Sequence, residues 1–160
     1  MHIVDFDAVI GSQAFQGDVL IAPLTATQAK ALDRSHEVSP VAGRLILQEG
    51  EVSGHHHAIR LPGQPYVAMF RDDALARDLA TAAAVPVGHA RLFRDPALGQ
   101  RLVRDGLLTR TDLVVGYLIV EGAPMLLTHE EHDAIRLPVG TYLIGRQIES
   151  AGAEERHVQD

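Results

Sequence analysis

Ala58-Ile59-Arg60-Leu61-Pro62 and Ala134-Ile135-Arg136-Leu137-Pro138 are one pentapeptide written twice. Each copy follows a histidine cluster, Gly54-His55-His56-His57 in the first case and His129-Glu130-Glu131-His132 in the second. A short apolar run closed by proline reads as a strand ending in a turn. The match continues past the proline, since Tyr66 and Tyr142 stand at the same offset and a glycine lies between in both copies. Two β-hairpin-like units are therefore expected. A duplicated β unit closing on itself is an economical way to make a small barrel without exposed edges. If the copies pack together, four of the nine histidines, His55, His57, His129 and His132, share one small volume.

Working outward, Gly17-Asp18-Val19-Leu20-Ile21-Ala22-Pro23 reads as a first strand, and Thr25 or Thr27 as the cap of a short helix through Ala29 and Leu32. Residues 43–52 read as a strand interrupted near Gly50, and His55 to Leu61 as the next. Pro62-Gly63 turns into a strand at Tyr66-Val67-Ala68-Met69-Phe70. Composition then changes. Residues 72–84 are rich in Ala and Leu, and Asp95 as cap, Pro96 at the first helical position and Gly106 past the end mark a second helix. Strand character returns in residues 113–120 and 141–144. The expected fold is mainly β: one β-barrel-like domain over residues 1–150, built from two duplicated β units, with a helical insertion at about 72–106 and a flexible acidic tail at 151–160.

A chain of 160 residues with 46% apolar and 22% charged residues is long enough for one sizeable core and too apolar to stay unfolded. Its formal charge of −7 repels a nucleic-acid backbone. The absence of cysteine removes disulfides, thiolate metal sites and a cysteine nucleophile together. No secretory signal pattern opens the chain and no apolar run reaches membrane-spanning length, so a cytoplasmic protein is expected, with neither nucleic acid nor membrane as partner. A homo-oligomer and a small-molecule ligand stay open.

The histidines carry the chemistry. On an extended strand, side chains two apart share a face, so His55 and His57 point together while His56 faces away. His129 and His132 are three apart, and Pro124 and Pro138-Val139-Gly140 place them in a tight turn or bulge instead of a long helix. The spacing also excludes the helical zinc-protease pattern H-E-x-x-H. Glu130 and Glu131 are candidate ligands, partners fixing an imidazole tautomer, or a general base, with a solvated charge pair as the plain alternative, and His56 is a further supporting residue or alternative ligand. Four imidazoles suit Zn, Ni or Cu, and three nitrogens with a carboxylate extend the range to Fe(II) or Mn. His89 stands alone between the two expected helices. Arg60 and Arg136 are equivalent in the repeats and are expected to pair with carboxylates on the exterior. No nucleophile elbow, phosphate loop or dinucleotide glycine pattern is present.

Gln16-Gly17-Asp18-Val19-Leu20, Gly50-Glu51-Val52-Ser53-Gly54-His55-His56-His57, Leu127-Thr128-His129-Glu130-Glu131-His132, Leu137-Pro138-Val139-Gly140-Thr141-Tyr142 and Arg146-Gln147-Ile148-Glu149 together resemble a small family of uncharacterised bacterial proteins. The family pattern runs G-E-V-T-G-H-x-H, H-E-E-H, L-P-x-G-x-Y and R-Q-x-E; by it His55, His57, His129 and His132 are the family histidines and His56 is a local departure. The likeness covers both ends and omits residues 71–111. It implies a shared β architecture and a common site at His55, His57, His129 and His132. A weaker resemblance is to cupins, whose motifs also place H-x-H after glycine. Here Gly54 abuts His55, no glutamate follows His57 at the cupin spacing, and Pro138-Val139-Gly140 comes after His132 instead of before it.

Two kinds of function follow. One is a β-barrel binding a divalent transition metal (Zn, Ni, Fe or Mn) through the histidine cluster, with a cupin-like metalloenzyme as its catalytic form and an open coordination position as its requirement. The other is a non-catalytic structural or assembly module in which the histidines hold a structural metal or line a subunit interface.

Overall fold

Short strands with apolar residues on alternate positions dominate the chain. The computed structural model describes residues 2–49, 55–62, 88–151 and 154–157. In chain order these form β1 (Ile3–Asp5), β2 (Ala14–Gln16), β3 (Val19–Pro23), α1 (Ala26–Lys30), β4 (Glu37–Val38), β5 (Arg44–Glu49), β6 (His56–Arg60), β7 (His89–Phe93) and α2 (Pro96–Arg104). After a short 3-10 turn at Thr111–Leu113 come β8 (Val114–Glu121), β9 (Met125–Thr128), β10 (Ala134–Leu137), β11 (Gly140–Arg146), β12 (Ile148–Ala151) and β13 (Glu154–His157). The expected strand at Tyr66–Phe70 and the expected helix over 72–84 lie outside the described residues.

Five strands make one sheet in the order β1-β10-β9-β6-β5, and six make a second in the order β2-β3-β11-β8-β7-β4. The mainly β class read from the sequence is what is found. Its enclosure, among the described residues, is made by two facing sheets instead of one closed sheet. The reason lies in the connections: β8 and β11 flank the second hairpin in the chain but pair with each other and with β3 and β7, so they build the opposite wall. Both copies of the pentapeptide fall in the first sheet, in β6 and β10, each as the second strand of a hairpin. The two hairpins lie side by side, joined by antiparallel pairing of β6 with β9.

The core follows from the two-residue period of the strands. Leu45, Leu47, Ile59, Leu127, Ile135 and Leu137 of the first sheet meet Val19, Ile21, Leu92, Leu118, Tyr142 and Ile144 of the second. The outer face of the second sheet is covered in turn: Ala22, Phe93, Tyr117, Ile119 and Leu143 pack with Leu98 and Leu102 of α2. Helix α2 begins as its sequence requires, with the Asp95 side chain accepting from the Leu98 amide and Pro96 in the first turn, where a missing N–H costs nothing. Beyond its end, Gly106 takes the left-handed conformation (φ 83°) that favours glycine. In α1, Thr25 and Gln28 form a reciprocal capping box. Of the residues expected to form a flexible acidic tail, Ala151 ends β12 and Glu154–His157 form β13, and the two strands pair as a separate two-stranded ribbon.

One glycine is fixed by packing instead of by backbone angle. A Cβ at Gly116 would sit 2.7 Å from the Phe93 carbonyl oxygen of the neighbouring strand, so only glycine lets β7 and β8 run this close.

Leu102 is fully buried between α2 and the second sheet. Leu102→Ala is expected to lower the unfolding free energy by about 2–5 kcal/mol, seen as a lower urea midpoint at unchanged slope. A second outcome concerns pH. Burial, aided at Tyr117 by nearby Asp95, pushes Tyr117 and Tyr142 up from 10.0 to about 12. Because the folded state favours the neutral phenol, this contribution to stability is complete below the ordinary tyrosine range and is lost as pH rises through about 12. Alkaline ultraviolet titration should show both phenols ionising late, and at the ordinary tyrosine value once the chain is unfolded.

Candidate metal centre

Strand register brings the two histidine clusters together. Ala58 lies opposite Thr128 and Ile59 opposite Leu127 in the antiparallel pairing of β6 with β9, and the Thr128 hydroxyl donates to the Ala58 carbonyl at 3.1 Å. One step beyond that pairing stand His57 and His129, whose rings are in contact. Alternation does the rest. Ile59 and Leu61 face the space between the sheets, so His57 does too, and His129 continues the row of Met125 and Leu127. Both side chains are thereby carried to one end of the apolar core, where His57 is fully buried and His129 nearly so. The residues after β9 turn back within a few positions to enter β10, and this bend supplies His132.

The rings pack closely. The His129 centroid lies 4.3 Å from that of His57 and 4.5 Å from that of His132, both tilted by about a third of a right angle, and 5.6 Å from that of His55, edge to face. His57 and His132 are nearly parallel at 6.1 Å. The four histidines expected to meet do meet. Stacked rings do not aim their nitrogens at one point, however, and the donors that converge are those of His55, His129 and Glu130, which all lie within 4.8 Å of one another.

The acidic pair divides its work. Glu130 accepts from the His56 amide at 3.0 Å, tying the turn to the start of β6. Burial pushes its carboxyl up, but hydrogen bonds from its own amide and that of His56, with His129 and His55 nearby, leave it below the ordinary carboxylate range. The Glu131 carboxylate lies 3.5 Å from His55 Nδ1, while its backbone amide donates to His129 Nδ1 at 3.1 Å. The basic nitrogen of a neutral His129 is therefore Nδ1 in this arrangement. His56 lends the cluster its amide. His89 sits exposed on β7 in the other sheet, opposite Glu121 and apart from the cluster's strands. Arg136 pairs with Asp5 at 2.6 Å on the outside, and Arg60 is exposed.

Two further residues belong to this end of the core and were not among the candidates. Gln16 and Asp18, 2% and 4% exposed, flank Gly17 in the turn between β2 and β3, where Gly17 takes φ 55°. Gln16 Nε2 donates to the carbonyls of Leu127 at 3.0 Å and Asp133 at 2.8 Å, which turns its Oε1 toward His57 Nδ1 at 2.9 Å. An amide oxygen accepts, so Nδ1 of His57 carries a proton. His57 Nε2 faces Asp18 Oδ1 at 3.3 Å. The available signal was a polar residue on each side of a glycine just before an apolar strand, a turn that places polar groups at the mouth of a core. Next to this turn, a cavity of about 440 Å³ is lined by Phe6, Phe15, Gln16, His132 and Asp133 among others.

A family model described as "Domain of unknown function (DUF8820)" matches two overlapping stretches of the chain, residues 15–93 and 67–147, and the chain belongs to that family. No curated protein and no solved structure matches it.

Gln16 spans the gap between the two sheets with three hydrogen bonds. Gln16→Leu removes the buried partner of the His57 N–H and of the Leu127 carbonyl, and is expected to destabilise the fold by about 1–3 kcal/mol. Thermal melting checks this, and an unchanged melting temperature would show that the amide holds nothing.

Proposed function

We propose that the protein binds a divalent transition metal (Zn, Ni, Fe or Mn) in the histidine cluster, with His55, His129 and Glu130 as the converging donors and His57 and His132 completing the centre. The observation that carries this reading is the approach of those three donor groups to within 4.8 Å of one another. Ligand atoms bonded at about 2.0–2.2 Å to one ion stand roughly 3–4 Å apart, so small side-chain rotations close the shell. The chemistry of the donors fits as well. Imidazole and carboxylate without thiolate match borderline divalent ions, and the Glu130 carboxyl is held toward its anionic form by its hydrogen bonds and the neighbouring histidines.

Binding has a local consequence. Coordination through His129 Nδ1 displaces the Glu131 amide, and coordination through Nε2 requires a proton on Nδ1, which repels the same amide. Either way the His129-to-Glu131 hydrogen bond is exchanged for the metal bond. The metal would polarise a bound oxygen ligand and lower the pKa of bound water. Residues of the chain would hold the ion, shield it from the core and set its charge. The cavity that reaches His132 favours a centre approached by a small molecule over one sealed for structure alone.

Elemental analysis of untagged protein, dialysed against chelator and reloaded, tests the proposal. Binding of about one transition-metal ion per chain is expected, with His129→Ala weakening it at least about 10-fold. Protein that carries no such metal and takes up none when offered it rules the reading out.

A further inference from the structure

Strand β1 borders the first sheet and β2 the second, and the cavity of about 440 Å³ that reaches His132 is lined by residues of both borders. Its walls belong to the apolar layer between the sheets. Val4 pairs in register with Ile135, a core residue, so its side chain faces that layer. Phe6, two positions on, packs against the same core beside the Tyr142 ring, with centroids 6.3 Å apart. From the second sheet, Ala14 packs on this core and Gln16 is buried. Val4 is nevertheless 43% exposed. An inward-facing valine that stays accessible marks a place where the interior can be reached from outside.

The approach is apolar as well. The segment joining β1 to β2 passes from one sheet to the other and lines the cavity at Gln13. Val4, Val9, Ile10 and Phe15, all in or beside that segment, are four of the six large apolar side chains that remain exposed among the described residues. The volume falls within the range of about 300–1,000 Å³ usual for small-molecule sites.

Charge narrows what the cavity accepts. Among the described residues no lysine or arginine lines it, and its two carboxylates are Asp5 and Asp133. Asp5 already pairs with Arg136. Asp133, next to His132, is exposed and has no ion pair among the described residues. Gln16 gives its amide hydrogens to the Leu127 and Asp133 carbonyls, so Asp133 is the charged group that can answer a ligand. An anion entering here meets like charge, whereas an ammonium meets its complement.

We infer that this cavity binds a small organic amine, its apolar body against Val4, Phe6 and Ala14 and its ammonium at Asp133. As a binding site it stands independently of the metal. As the place where a substrate meets the metal, through the shared His132, it rests on the reading above.

The test titrates the full chain, stripped with chelator, with hexylamine, hexanol and hexanoate at physiological salt and follows amide resonances by NMR. Hexylamine is expected to bind saturably, shifting the amides of Val4, Phe6 and Ala14, with hexanoate and hexanol at least about 2–5-fold weaker. From butylamine to hexylamine, affinity should rise by up to about fourfold per methylene. Asp133→Asn should weaken hexylamine by about 2–5-fold, and Val4→Lys, at an already accessible position, should abolish its preference over hexanoate. Absence of saturable hexylamine binding overturns the inference, as does hexanoate or hexanol binding equally well, or an Asp133→Asn chain that folds and binds hexylamine unchanged. A chain that binds hexylamine as expected but takes up no transition metal upholds the cavity and removes the metal reading; one that loads metal and ignores hexylamine does the reverse.

Discussion

The antiparallel pairing of β6 with β9 is the constraint on which the rest of the molecule depends. It is the only link between the two hairpins within the first sheet among the described residues, and it sets their relative register. Because side chains alternate with a period of two, sliding this pairing by one residue would turn one hairpin's apolar row away from the core and carry its histidine outward with it. Folding stability and assembly of the histidine cluster are therefore selected by the same hydrogen bonds. Ile59 and Leu127 are fully buried at that junction, so the core enforces the register that the site needs.

Polar groups at the end of an apolar core are costly unless every one of them is engaged. The turn between β2 and β3 answers that cost. It belongs to the second sheet, yet through Gln16 it bonds to the end of β9, to Asp133 and to His57, all on the side of the first. The histidine cluster is thus held between walls and not on one of them, and its geometry reports on how the two sheets are docked.

Much of this was legible in the sequence, for identifiable reasons. The repeated pentapeptide marked β6 and β10 because strand, proline and turn leave a strong local signature. Helix α2 was legible from Asp95, Pro96 and Gly106, whose effects act within one turn of the chain. The meeting of His55, His57, His129 and His132 followed from treating the repeats as neighbours. What the sequence did not disclose is long-range. That β8 and β11 form the opposite wall depends on pairings between distant segments, which no local pattern encodes. The engagement of Gln16 and Asp18 with His57, 41 and 39 positions away in the chain, is of the same kind. Ring stacking of His57, His129 and His132, against convergence of His55, His129 and Glu130, turns on side-chain rotations that spacing alone leaves open.

Strand β1 pairs in parallel with β10, while the other strand pairings among the described residues run antiparallel, and it closes one border of the first sheet with only three residues. Its hydrogen bonds cover the backbone of β10 immediately after the histidine-bearing bend, and the His2 carbonyl receives the Ala134 amide there. Were this brief strand to peel away, the unmasked margin of β10 would offer a ready template for a strand from another molecule. Protection against self-association and shelter for the histidine bend are thus vested in the same few residues.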